Sequence, residues 1–468
     1  MNLNVEEILS CTNGNLIFGD LKKECKNFSR DTRTINYGDT YVCIKGEKFD
    51  GNDFWEEAFK NGADVVIANK LDIDEETKER YLKQDKTLIE VEDTVKALGE
   101  MATIKRNKYG NNLKVIAVTG SVGKTSTKDI IYSVLSQKYN TLKTQGNKNN
   151  NIGLPLTILS LQDEEVCVIE MGMNHFGEIS YLSKIAKPDI AVITNIGTSH
   201  IGNLGSRENI LKAKLEILDG MKSPNLVINN DNDLLHKWNL ENQENIETHT
   251  FGIKEKSDFR AENINLRENE SAFTCIVEDK NELKVVIPVG GEHFILNALS
   301  AITVGKLLNL TNEQIQRGIQ SFKLTAKRME IIKTKNNITI INDTYNASFE
   351  SMKAGINSLA NMQGKRKIVV LGDMFELGEY SKELHKKVGD EIYKNQIDKT
   401  FLIGENVKYI EEELNSKGYN KENILYFRKH EDLIESLKNN LKEEDTVLFK
   451  ASNGMKLFDV VEELVKSY

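Results

Sequence analysis

No run of 18 or so apolar residues occurs in this 468-residue chain, so no transmembrane helix is expected. The opening MNLNVEEILS lacks a basic stretch and a long apolar core, and no signal peptide is expected there. The five cysteines (Cys11, Cys25, Cys43, Cys167 and Cys275) are scattered, the nearest two 14 positions apart. That spacing excludes a CxxC metal or redox motif, and the odd count suits a reducing cytoplasm. Basic charge is not in excess: 62 Lys and Arg against 71 Asp and Glu leave a net charge of −9. Such a diffuse acidic balance argues against nucleic acid as the main partner. There are only four prolines, no internal repeat and no long low-complexity tract. What remains is an ordinary globular composition, 39% hydrophobic and 28% charged, long enough for roughly two to four domains.

The most informative segment is TGSVGKTSTK at 119–128. The apolar VIAV (115–118) before it suits a buried strand, and Ile130, Ile131, Val134 and Leu135 after it fall at helical spacing. Strand, glycine-rich turn and helix in that order aim backbone N–H groups and a positive helix end at an anion. The candidate phosphate cradle is therefore Thr119, Gly120, Ser121, Val122, Gly123, Lys124, Thr125 and Ser126. Lys124 can reach the terminal phosphates and Thr125 can hold Mg²⁺. The general pattern has a glycine five residues before the second one; here Val118 stands there and the glycine is at 120.

Further apolar runs read as strands at 41–45, 63–69, 166–170, 190–194, 226–229, 338–343, 367–373, 400–405 and 446–452, with helices interleaved. That alternation predicts mostly parallel α/β sheets, with an antiparallel hairpin near 281–289 and a helix at 292–308. The charged stretch 71–86 reads as a surface helix near a first domain boundary. Polar runs follow the strands near Glu170, Thr194, Ile341 and Leu371, where open α/β sheets bind ligands.

Glu170, ending a buried strand, can supply a hard oxygen to Mg²⁺ or simply face solvent. His200 sits in a Gly, Thr and Ser-rich loop, where a lone histidine is more often a surface hydrogen-bonder. GNKNNNIG (146–153) admits either a polar ligand contact or a turn. Lys212 and Lys214, with Glu216 on one predicted helix, read by themselves as solvated charges.

TGSVGKTSTK, GNKNNNIGLPLT, EMGMNHFGEI, NIGTSHIGNLGSRENILKAKLEI and GEHFILNA, in that order, resemble the Mur ligase family, ATP-dependent amide-forming enzymes of peptidoglycan precursor synthesis. DTRTINYGDTYVCIKGEKFDGNDF (31–54), NDTYNASFESMKAGI (342–356), VVLGDMFELGEYSKELHKKVG (369–389) and FKASNGMKLFDVV (449–461) extend the resemblance over nearly the whole chain. It implies an α/β fold of three domains: a small N-terminal UDP-substrate domain (1–85), a central P-loop ATPase domain (86–323) and a Rossmann-like C-terminal domain (324–468).

The implied reaction joins D-Ala-D-Ala to a UDP-MurNAc-tripeptide through an acyl phosphate. ATP is consumed with two Mg²⁺, by a cytoplasmic monomer that neither binds nucleic acid nor inserts into membrane. By resemblance, Thr125 and Glu170 ligate one Mg²⁺, and His200 and a carbamylated Lys214 the other, with Lys212 the alternative register. Asn297, four residues after His293, would contact adenine; Arg328 and Asp343 would reach the nucleotide from the C-terminal domain. Thr32, Arg33 and Lys45 would hold the uridine diphosphate end, and Asn346 the dipeptide. Two positions depart from the family pattern: Phe349 replaces a more usual proline, and Lys327 stands where a glycine often precedes the arginine. A folylpolyglutamate synthetase is disfavoured by the first 85 residues. A regulatory P-loop NTPase would leave them unexplained.

Overall fold

The computed structural model describes residues 1–242, 246–277 and 281–467. Among them, the alternation of apolar runs and helices becomes three α/β units in series. The first sheet has five strands, ordered Asn15–Phe18, Thr87–Glu90, Val65–Ala68, Thr40–Val42 and Phe28–Ser29. All neighbours run parallel except Asn15–Phe18. Thr87–Glu90 is hydrogen-bonded on both sides, so this sheet runs past residue 85, where the sequence reading ends its first domain. The charged stretch before it, helical over Glu75–Leu82, is the crossover between two parallel strands and not a linker.

The central sheet has nine strands, ordered Asn281–Ile287, Ser271–Val277, Phe259–Leu266, Glu247–Gly252, Asn225–Asn229, Ile190–Ile193, Lys114–Thr119, Val166–Glu170 and Thr141–Lys143. Seven are parallel, and the hairpin expected near 281–289 adds the antiparallel edge. Lys114–Thr119 lies between the strands that lead to the two edges, with Val166–Glu170 on one side and Ile190–Ile193 on the other. The glycine-rich turn leaves this strand at the point where the sheet reverses its order, the usual ligand crevice of such folds. Both faces are covered by helices, and the strand residues Val115 to Val118 and Val166 to Ile169 are buried.

The third sheet has six strands, ordered Glu330–Lys333, Thr339–Asn342, Asp445–Lys450, Arg366–Gly372, Lys399–Ile403 and Ile424–Phe427, parallel except for the first. Between it and the central unit runs the segment 321–329. Thr325 Oγ1 donates to Asp129 Oδ2 (2.6 Å), anchoring this segment to the helix Lys124–Leu135. Lys327 has φ 64°, a left-handed backbone that explains why glycine is favoured there. Phe349 is the first residue of the helix Phe349–Ala360, capped by Ser348, and a first helical position accommodates proline.

The third unit is docked on the central one. Thr198 donates through N–H (2.8 Å) and Oγ1 (3.1 Å) to the Glu350 carboxylate. Gly202 N–H donates to Glu376 O (3.0 Å), and the Tyr380 hydroxyl donates to Gly205 O (2.6 Å).

Candidate active site

The turn after Lys114–Thr119 is shaped by its neighbours. Gly120 has φ 151°, and a Cβ there would fall 1.9 Å from Thr194 Oγ1, so glycine is required. Asn195 braces the loop, accepting from Val122 N–H and donating to Val122 O (2.9 Å each). The helix Lys124–Leu135 then starts at Gly123, in the left-handed conformation. Its N-terminus opens into a cavity of about 490 Å³ between the central and C-terminal units. Ser121, Val122, Gly123, Lys124, Thr125, Ser126, Glu170, His200, Asn297, Arg328, Asp343 and Asn346 all line it.

Thr125 Oγ1 is the centre of a small polar network. It donates to Glu170 Oε2 (2.8 Å) and accepts from Arg328 Nη2 (2.9 Å). Asn149 Nδ2 donates to the other Glu170 oxygen (2.7 Å). Among the described residues, Glu170 is thus buried with hydrogen bonds but no ion-pair partner, and Arg328 Nε is buried with no hydrogen-bond partner. A buried carboxylate and an orphaned guanidinium nitrogen facing one cavity suit a cation and a phosphate respectively. The hard oxygens of Thr125 and Glu170 fit Mg²⁺.

Lys124 Nζ donates back to Gly120 O (2.8 Å) and Ser121 O (3.4 Å). Enclosure by protein lowers its pKa, and the Glu170 charge partly opposes that shift. Lys214 is 1% exposed and makes no hydrogen bond or ion pair among the described residues. Burial, then the nearby Lys124 charge, hold its pKa well below the ordinary lysine value. Lys212, two residues earlier, is exposed. His200 Nδ1 lies 2.5 Å from Glu376 Oε2. Among the described residues no three His, Cys, Asp or Glu side chains form a ready metal cluster.

The C-terminal unit contributes more than sequence reasoning named. Lys450, buried, pairs with Asp343 Oδ2 and donates to Asn346 O (3.1 Å). The Arg328 guanidinium lies 3.9 Å over the Tyr345 ring. Asn297 Oδ1 accepts from Thr127 Oγ1 (3.1 Å), which sets its side chain beside Gly123. Thr119 points elsewhere, its Oγ1 donating to Met171 O (2.9 Å). Thr32, Arg33 and Lys45 lie outside this cavity: Thr32 donates to Glu57 (2.7 Å), Arg33 pairs with Asp31 (2.7 Å) and Lys45 with Asp50 (3.7 Å). Asn149 and Asn195 carry a signal in the sequence, as amides beside glycine-rich turns. Glu350, Glu376 and Lys450 lie in motifs that carry the resemblance, with no individual role implied.

His293 lines the cleft from the start of the helix Glu292–Leu307, and burial pushes its pKa down to about 4 although part of the ring reaches the cavity. Unfolded, the imidazole takes up a proton near pH 6.5; folded, it resists until about pH 4. Between those values the unfolded chain binds the extra proton, so stability falls as pH drops through that window. His293→Asn is expected to flatten this loss, seen as a smaller difference between urea midpoints at pH 7 and pH 5 than in the native chain. An unchanged difference contradicts a neutral His293.

A glycine-rich loop at the switch point of a parallel sheet, roofed by a second α/β unit that sends Arg328 to it, defines a P-loop nucleotide-binding protein working between domains. Family models agree over most of the chain: the Mur ligase middle domain matches 118–305, the Mur ligase glutamate ligase domain 327–453 and the Mur ligase family catalytic domain 25–106. The chain belongs to the Mur ligase family.

It is 39% identical to the UDP-N-acetylmuramoyl-tripeptide–D-alanyl-D-alanine ligase of Bacillus subtilis (strain 168), over 93% of this chain and 92% of that one. The ligase of the same name from Escherichia coli (strain K12) is 32% identical, over 99% and 98%. A crystal structure of MurF from Acinetobacter baumannii superposes with a TM-score of 0.87 at 29% identity, over 100% of this chain and 99% of that one. MurF from Thermotoga maritima in complex with ADP gives a TM-score of 0.80 at 31% identity, over 94% and 97%.

Proposed function

We propose that this chain is an ATP-dependent ligase that joins D-alanyl-D-alanine to the terminal carboxylate of UDP-N-acetylmuramoyl-tripeptide. The observation that carries the reading is the single cavity in which the P-loop helix, the Thr125–Glu170 pair and Arg328 and Asp343 of the opposite unit converge. Full-length likeness to ligases of that name supports the choice of substrates.

Thr125 and Glu170 would hold one Mg²⁺, and His200 with carbamylated Lys214 a second. When bound, these ions offset the negative charge that gathers where carboxylate and triphosphate meet. The residues do the positioning. Asn297 is assigned to adenine, Arg328 and Asp343 to the nucleotide from the facing unit, Asn346 to the dipeptide, and Thr32, Arg33 and Lys45 to the uridine diphosphate end. Lys124 exchanges its loop carbonyls for the terminal phosphates, and with the turn amides it stabilises charge on the transferring group.

The tripeptide carboxylate oxygen bonds to the γ-phosphorus as the bridging bond to ADP breaks. The dipeptide amine then attacks the acyl phosphate carbonyl, loses a proton, and phosphate departs. Water must stay out meanwhile, which is the task of the docked C-terminal unit. The same reading makes the enzyme a cytoplasmic monomer. No helix of the described residues is long and apolar enough to cross a membrane.

An acceptor panel tests the proposal. D-Ala-D-Ala, but no single amino acid, is expected to give a product mass with UDP-MurNAc-tripeptide and ATP, and ADP is expected to form only with both substrates present. ATP turnover at the same rate without them would favour a regulatory NTPase instead.

A further inference from the structure

Two residues with left-handed backbones face each other across the seam between the central and C-terminal units. His200 has φ 64° and Glu376 has φ 62°; neither is glycine, so both conformations carry a steric cost that their surroundings must hold in place. Their side chains meet, with His200 Nδ1 2.5 Å from Glu376 Oε2. The backbones meet as well: Gly202 N–H donates to Glu376 O (3.0 Å), and a Cβ on Gly202 would fall 2.6 Å from Gly378 N.

The loop that presents Glu376 is braced from its own unit. Met374 N–H donates to Nε2 of the fully buried His385 (3.1 Å), whose Nδ1 lies 2.7 Å from Ser381 O. Phe375 N–H donates to Ser452 Oγ (2.9 Å). His200 lines the cleft and Glu376 does not. The carboxylate therefore reaches His200 from outside the cleft lining.

We propose that Glu376 is a positioning residue for the second metal site, holding Nδ1 of His200 so that Nε2 is presented to the ion. The inference rests on the reading of His200 as a Mg²⁺ ligand. A metal-bound imidazole commonly gives its other nitrogen to a carboxylate, and losing that partner weakens metal binding about 10- to 100-fold. Here the carboxylate comes from a different unit than the ligand it orients. The metal site is complete only when the C-terminal unit is docked, so closure and metal affinity are one event.

The test is Mn²⁺ titration of the full chain with ADP, read by electron paramagnetic resonance, with thermal melting as the check on folding. Glu376→Ala is expected to weaken the second Mn²⁺ about tenfold or more. Glu376→Gln, whose amide oxygen still accepts from Nδ1–H, is expected to keep most of the affinity. Tyr380→Phe removes a seam hydrogen bond without touching His200 and is expected to bind Mn²⁺ as the native chain does. Unchanged affinity in Glu376→Ala overturns the proposal, as does equal weakening in Tyr380→Phe, which would make Glu376 a latch alone. His200→Ala separates the layers. If it leaves Mn²⁺ binding intact, the reading of His200 as a ligand fails; if it weakens binding and Glu376→Ala does not, only the role of Glu376 fails.

Discussion

Lys214→Ala is expected to cut the ligation turnover number roughly a thousandfold, a loss of about 4 kcal/mol in transition-state stabilisation of the kind metal ions supply. A short carboxylate such as acetate is expected to restore part of it. The reasoning starts from burial. An ammonium group in a residue that is 1% exposed, beside the Lys124 charge and without a counter-ion among the described residues, is shifted toward the neutral amine. The neutral amine is the form that adds to carbon dioxide, releasing a proton and leaving a carbamate. That product is an anionic oxygen donor matched to Mg²⁺, and it sets a negative charge near the Lys124 cation. Lys212 offers none of this, since it is exposed, and Lys212→Ala is expected to turn over nearly normally. Turnover assays with and without the additive decide the matter. Full activity in Lys214→Ala, or rescue in neither direction, would sink the carbamate assignment.

Lys124→Ala is expected to lower the turnover number by roughly a hundred- to a thousandfold, the usual loss when one preorganised donor to a developing charge is removed. In the structure its ammonium is parked on Gly120 O and Ser121 O, 2.8 and 3.4 Å away, so the loop itself holds the charge near the helix N-terminus. The turn amides remain in the variant, and ADP affinity measured by calorimetry is expected to suffer less than turnover. Lys124→Arg is not expected to rescue, because a planar fork does not replace a compact point charge in a closed loop. Near-native turnover in Lys124→Ala would remove the loop from the chemistry.

Much of the site was legible because strand ends carry it. Thr125 and His200 follow, and Glu170 ends, buried strands of one parallel sheet, and such positions converge whatever the loops do. Lys214 was legible only by resemblance: its helix reads as solvated, and burial of the second lysine of the pair depends on packing that periodicity does not reveal. Glu350, Glu376 and Lys450 lie in motifs that carry the resemblance, but their own contacts were not legible. Each acts across the seam or on the far side of the cleft, and unit docking leaves no local pattern in the chain. The strands Glu247–Gly252 and Phe259–Leu266 escaped for another reason: their polar residues interrupt the apolar run expected of an interior strand. Thr87–Glu90 was hidden by the charged crossover before it.

The third sheet also sets a timetable. Asp445–Lys450 is hydrogen-bonded between Thr339–Asn342 and Arg366–Gly372, and its Lys450 holds Asp343. Chains are made from the N-terminus, and domains tend to fold as they emerge. The central sheet is finished once Asn281–Ile287 has emerged, while the middle of the third sheet waits for Asp445–Lys450, far downstream. A nascent chain therefore owns a phosphate cradle long before it owns a roof. The nucleotide can be held during synthesis, but no acyl phosphate can be sheltered until Asp445–Lys450 has emerged and paired.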